Sequence, residues 1–167
     1  MNALHLGWVD QTRADGMTVP KASRLGLLIA EAFVALTATA GGAVLVVGAL
    51  IPETATVLNP PDEYLASSPF GSYLVPGLVL ALIIGGAHAL AFVVQLRRIR
   101  WGMLAAAVAA FAVLIWIFVQ MLFIPFSFLQ ALYFLLGLAE AGLVMLGLGI
   151  AEIGPRRTRA REGHRSS

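Results

Sequence analysis

The chain has no cysteine, which excludes disulfides, thiol redox chemistry and thiolate metal sites. It is also poor in charge: 12% of its 167 residues are Asp, Glu, Lys or Arg, against 59% hydrophobic. A soluble domain this small could not cover so much apolar surface, and contiguous exposed patches would drive aggregation. Lipid is therefore the expected solvent. Basic residues are missing altogether from 25–96 and from 101–155. Catalytic and cofactor motifs are missing too. There is no His-Glu-x-x-His, no Gly-x-Ser-x-Gly, no phosphate-binding loop ending in Lys-Ser or Lys-Thr, and no dinucleotide fingerprint. No cofactor and no metal site are expected, and no enzyme activity.

The basic residues that are present fall in three places: Arg13, Lys21 and Arg24; Arg97, Arg98 and Arg100; and Arg156, Arg157, Arg159, Arg161 and Arg165. Basic residues flanking membrane spans stay on the cytoplasmic side. The pattern thus predicts an all-α polytopic membrane protein, a four-helix transmembrane bundle with both termini in the cytoplasm of a cell (inner) membrane. The bias toward Ala, Val, Leu, Gly and Arg, with a single Lys, suits a high-GC bacterial genome.

The expected threading is a cytoplasmic tail over 1–24, where Gly16 and Pro20 break any helix, then spans over about 25–51, 73–96, 101–124 and 129–152. Each exceeds the roughly 20 residues needed to cross the hydrocarbon core. Residues 52–72 form an outer loop containing Pro52, Pro60, Pro61, Glu53, Asp62 and Glu63, and 153–167 a basic cytoplasmic tail. Tyr64, Phe70, Tyr73, Phe123, Phe126, Phe128 and Tyr133 form an aromatic belt at the outer interface, and Trp101 marks the inner one. A second reading of the first span exists: Lys21 and Arg24, an apolar run and Ala38-Thr39-Ala40 imitate a cleavable signal peptide. The run continues unbroken to Ile51, which argues for a retained span.

Arg97, Arg98, Arg100, Arg156, Arg157, Arg159 and Arg161 are expected to contact lipid headgroups on an anionic inner leaflet, at roughly 1 kcal/mol each. The basic tail is short and has no aromatic residues between its charges, so nucleic-acid binding is not expected.

Glu31, His88, Gln120 and Glu140 lie inside apolar spans. By helical spacing each shares a face with small residues: Glu31 with Ala35, Ala38 and Gly42, His88 with Gly77, Ala81, Gly85 and Gln95, and Glu140 with Gly137 and Gly147. Small faces let helices approach, and polar groups there bond across the interface. At about 1.5 Å per residue, Glu31 lies roughly 10 Å above Arg24 and His88 roughly 13 Å above Arg97. The two stand at similar levels, which predicts a Glu31–His88 contact. Glu140 is placed about 18 Å from the outer end of its span and about 24 Å from Arg156, near the bilayer middle, with Thr37 and Thr39 at its level to donate hydrogen bonds. An ionisable group at that depth either stays protonated or faces water or a cation. Glu140, His88, Glu31, Thr37 and Thr39 are therefore the candidate intramembrane polar site.

The segments FGSYLVPG (Phe70 to Gly77) and WIFVQMLFIPFSFLQALYFLLG (Trp116 to Gly137) resemble a type of small four-span integral membrane protein of bacteria, notably actinobacteria. The resemblance covers roughly 25–150. It implies the four-span topology and carries no activity and no site residue. A single carboxylate in a four-span chain also looks loosely like small multidrug transporters, from which this chain departs by its outer loop, its basic tail and the depth of Glu31.

Two function classes remain. The first is a non-enzymatic accessory or scaffold subunit of a larger membrane assembly in transport or envelope biogenesis, with a membrane-protein partner. The second is a small homo-oligomeric ion- or proton-coupled transporter using Glu140.

Overall fold

The computed structural model describes residues 18–149 except Ser67. All regular structure among them is helical. Helix α1 spans Thr18–Leu50, α2 Pro52–Leu58, α3 Leu74–Leu96, α4 Gly102–Phe123 and α5 Phe128–Gly147, with a 3₁₀ turn over Asp62–Tyr64. Four of these helices are long and apolar enough to cross a membrane: α1 from Lys21, α3, α4 and α5. The protein is thus an all-α, multi-pass membrane protein by length and composition of its helices.

Proline sets several of the helix ends. The residue before a proline is pushed out of the helical region by the ring's Cδ. Ile51 before Pro52 (φ −118, ψ 93), Asn59 before Pro60 (φ −94, ψ 147) and Ile124 before Pro125 (φ −122, ψ 147) are all extended and terminate or separate helices. Pro20 has no such effect. The expectation that Pro20 breaks any helix is corrected here, because α1 begins at Thr18. A proline in the first turn lacks only an N–H that has no intrahelical partner.

The fourth span is shorter than the expected 129–152. Helix α5 stops at Gly147, where the Leu148 and Gly149 amides bond back to the carbonyls of Val144 (2.9 Å) and Leu146 (3.1 Å) and Gly149 adopts φ +70. A left-handed glycine closing a helix satisfies carbonyls that would otherwise be orphaned. Residues 150–152 and the basic tail, with Arg156, Arg157, Arg159 and Arg161, lie outside the described residues. At its other end α5 starts on a capping box: the Ser127 hydroxyl accepts from the Gln130 amide and the Gln130 side chain accepts from the Ser127 amide (2.8 Å).

Helix α1 packs along α3 and α5, and α4 packs along the same two, while α1 and α4 barely touch. The four spans form a ring in the order α1, α3, α4, α5, every neighbouring pair antiparallel. Outward faces are apolar in each: Leu36 is 73% exposed, Leu82 66%, Ile115 62% and Leu135 63%. A surface of that kind suits lipid. Glycines bring the backbones close inside the ring. A Cβ on Gly42 would sit 2.5 Å from the Ala81 amide nitrogen and from the Gly77 carbonyl oxygen, and one on Gly137 would sit 2.8 Å from Val113 Cγ1. Within α3 the turns from Val79 to Gly85 widen to π-helix immediately before the segment that carries His88.

The two ends differ. At one lie the exposed Arg97, Arg98 and Arg100, with the Arg100 guanidinium 4.7 Å over the Trp101 ring. Arg98 takes a left-handed conformation (φ 54) in this tight turn. Arg24 donates to the last carbonyls of α3, those of Gln95 (2.7 Å) and Leu96 (3.4 Å), where a cation also meets the negative end of the helix dipole. At the opposite end the 52–72 segment folds back over the bundle. Tyr73, expected in an interfacial belt, is buried, and its hydroxyl donates to the Pro61 carbonyl (2.7 Å). Burial, then Asp62 and Tyr64, push its phenol above the usual 10.0. A phenol raised in this way keeps its stabilising hydrogen below that ordinary value and loses it only as the pH climbs through the folded-state value, so the tether holds throughout the neutral range. Tyr73→Phe should cost about 1 kcal/mol in thermal unfolding and expose the 60–70 segment to proteolysis. An unchanged cleavage rate would show that the tether does not hold the loop.

Candidate functional site

The interior is layered. Leu27, Ala106 and Val144 pack toward the basic end, and Val34, Ala38, Ile84, Val113 and Ile117 toward the loop end. Between them comes a polar layer: Glu31 from α1, His88 from α3 and Glu140 from α5, exposed by 0%, 0% and 1%. Helix α4 contributes Ala109 and Ala110 at this level, both fully buried. Two alanines leave the space that the three longer polar side chains fill.

His88 reaches across the ring, from α3 to the diagonally placed α5. Its Nε2 lies 3.2 Å from Glu140 Oε2, and its Nδ1 lies 2.7 Å from the Ile84 carbonyl oxygen. A carbonyl only accepts, so Nδ1 carries a hydrogen. A neutral imidazole with its hydrogen on Nδ1 offers Nε2 as an acceptor, and then Glu140 must donate. A charged imidazole donates from Nε2 to a Glu140 carboxylate. Either way a single shared proton lies between Nε2 and Oε2, and the pair is neutral as a unit.

The contact predicted between Glu31 and His88 is not formed. Gln95, two turns along α3 from His88, donates from Nε2 to Glu31 Oε1 (3.3 Å). Glu31 nevertheless lies within Coulombic range of both Glu140 and His88. Glu31 Oε2 and Glu140 Oε1 have no hydrogen-bond partner, an expensive arrangement for a buried charge. Among the described residues neither carboxylate pairs with Lys or Arg, and no group of three His, Cys, Asp or Glu side chains is placed to hold a metal ion.

Thr37 and Thr39 do not serve Glu140. The Thr37 hydroxyl donates to the Phe33 carbonyl of its own helix (2.7 Å), and Thr39 packs at Gly85 of α3. Both lie toward the loop end from the polar layer. The shorter α5 explains the difference in depth: Glu140 is seven residues from Gly147, about 10 Å, and so level with Glu31 and His88. Gln95 and the buried Ser23 belong to the layer's lower edge and were not among the candidates. Gln95 shares His88's face at i+7, and Ser23 shares Glu31's face at i−8, within the run expected to be tail.

No family model matches the chain, and no curated protein or solved structure matches it.

Proposed function

We propose that this protein is a small proton-coupled carrier of a bacterial inner membrane, with both termini and the 97–100 turn in the cytoplasm. In this reading His88 and Glu140 hold the transported or coupling proton and Glu31 is a second carboxyl that senses it. The observation that supports this best is the 3.2 Å contact between His88 Nε2 and Glu140 Oε2 in a fully buried layer. Ionisable groups at such depth are costly, and function is the default reason for keeping them. A layer of two carboxyls and one imidazole, with no Lys or Arg pairing to either carboxyl among the described residues, changes its net charge with every proton gained or lost. The basic clusters at one end of the bundle favour the proposed orientation.

The accessory-subunit reading stands second. Complete burial of the pair suits a permanent cross-link between α3 and α5 as well as a proton site. One ground for an external partner is weakened, because Gly42, Gly77, Gly85 and Gly137 are spent on contacts inside the bundle.

Proton uptake into proteoliposomes, read by an internal pH dye after an external acid step with the membrane potential clamped, tests the proposal. Wild type should take up protons in a saturable way, and Glu140→Gln should fall to the rate of empty vesicles. Wild-type uptake equal to that of empty vesicles, with a second protein co-extracted in mild detergent, would replace the carrier by the accessory subunit.

A further inference from the structure

A cavity of about 320 Å³ opens between the four spans in the loop half of the bundle, within the size range of small-molecule sites. Its floor is Ile84, whose carbonyl holds His88, and its far rim is Ser127 and Gln130 at the start of α5.

Two residues that line it carry a buried polar atom without a partner, Trp116 Nε1 and Gln130 Nε2. Gln130 is only 3% exposed. Its amide cannot be turned round to cure the deficit, because the capping box uses its oxygen to receive the Ser127 amide. Both orphans are therefore N–H donors, and an indole can be nothing else. Unpaired buried donors cost about 1–3 kcal/mol each, so an acceptor is called for. Water is a poorer one wherever the lining is apolar: a buried water needs two to four polar partners, and half of the lining residues are Ala, Leu, Ile or Val. An anion would meet no Lys or Arg among the lining residues and would be stranded in an apolar site. A donor-bearing group would set N–H against N–H.

We propose that this cavity binds a small, neutral, mostly apolar molecule that presents carbonyl oxygen to Trp116 Nε1 and Gln130 Nε2. The site stands whether or not His88 and Glu140 move protons, since none of its contacts uses them.

Methyl heptyl ketone, with nonane as the matched probe lacking an acceptor, tests this on the full chain in lipid nanodiscs. The readout is the indole N–H resonance of Trp116, assigned by its loss in Trp116→Phe. The ketone should move the Trp116 indole proton downfield in a saturable way and leave the other two indoles in place, and nonane should not. Gly41 lines the cavity, and Gly41→Leu, which fills it, should weaken the ketone by at least about tenfold, or 1.4 kcal/mol. Gly41→Ala is the folding control: its Cβ would sit 3.7 Å from Leu80, an ordinary contact, and binding should persist. Equal shifts from ketone and nonane, or a response that never saturates, would overturn the site as mere partitioning. Magnetisation transfer from water to the Trp116 indole, with no response to ketone, would overturn it in favour of a hydrated vestibule.

Discussion

His88→Ala should destabilise the bundle by about 3–5 kcal/mol, while Glu140→Gln should cost about 1 kcal/mol. The asymmetry follows from the shared proton. Removing the imidazole leaves Glu140 buried with neither oxygen bonded, since Oε1 already has no partner, and breaking one side of a buried pair carries the full desolvation penalty. Gln at position 140 keeps the shape and supplies an amide N–H to Nε2 of a neutral His88, whose other nitrogen still donates to Ile84. The double change His88→Leu with Glu140→Leu should recover much of the loss, because a buried pair exchanged for apolar side chains is often neutral. Unfolding of wild type, His88→Leu, Glu140→Leu and their double variant in mixed micelles measures the coupling, expected to exceed about 1 kcal/mol for residues in contact. Equal losses from His88→Ala and Glu140→Gln, with additivity in the double variant, would mean that the two side chains do not share a proton. Proton uptake separates the two functional readings: a proton site loses it in the Glu140→Gln protein, whereas a purely structural pair shows none above empty vesicles even in wild type.

The sequence showed four spans because charge and proline punctuate the apolar runs. Pro52 and Pro125 mark two ends that the backbone confirms through the extended residues before them. It misplaced the ends that depend on finer local chemistry. Pro20 reads as a breaker by type but lies in a first turn, where it breaks nothing. Hydrophobicity continues past Gly147 to Ile153, whereas the helix ends on the left-handed Gly149, a stop that hydropathy does not register.

The site was legible as a set of residues and not as a set of bonds. Spacing from the basic ends put Glu31 and His88 at one level, and Glu140 drifted from that level only because its helix was drawn too long. Level alone does not choose partners. That choice depends on the ring order, in which α3 and α5 face each other across the centre, and on Ala109 and Ala110, whose small side chains open the centre for His88 to cross. Gln95 could have been found on the face it shares with His88. Its bond to Glu31 also requires α1 and α3 to pack closely along their length, which is the work of glycine.

That packing gives the second large effect. Gly42→Leu should abolish the native bundle, and even Gly42→Ala should cost roughly 1–3 kcal/mol, the range for overpacking a tight interior. The reason is what the new atom would meet. At Gly42 a Cβ comes within 2.5 Å of the Ala81 amide nitrogen and the Gly77 carbonyl oxygen and 2.7 Å of Ala81 Cβ. Two of these are backbone atoms, which cannot rotate away, so α1 and α3 would have to separate. Separation there also pulls at the far end of α3, where the Arg24 guanidinium holds the Gln95 carbonyl and Gln95 holds Glu31. Gly86 and Gly142 are the internal controls, since a Cβ on either meets nothing within 4 Å. Alanine at those positions should be neutral or stabilise by up to about 1 kcal/mol through helix propensity. Thermal unfolding of the three alanine variants, with detergent-resistant mobility as a second readout, compares them directly. A Gly42→Ala protein as stable as Gly86→Ala would show that the α1–α3 contact is not close packed, and the bonded polar layer that rests on it would fall as well.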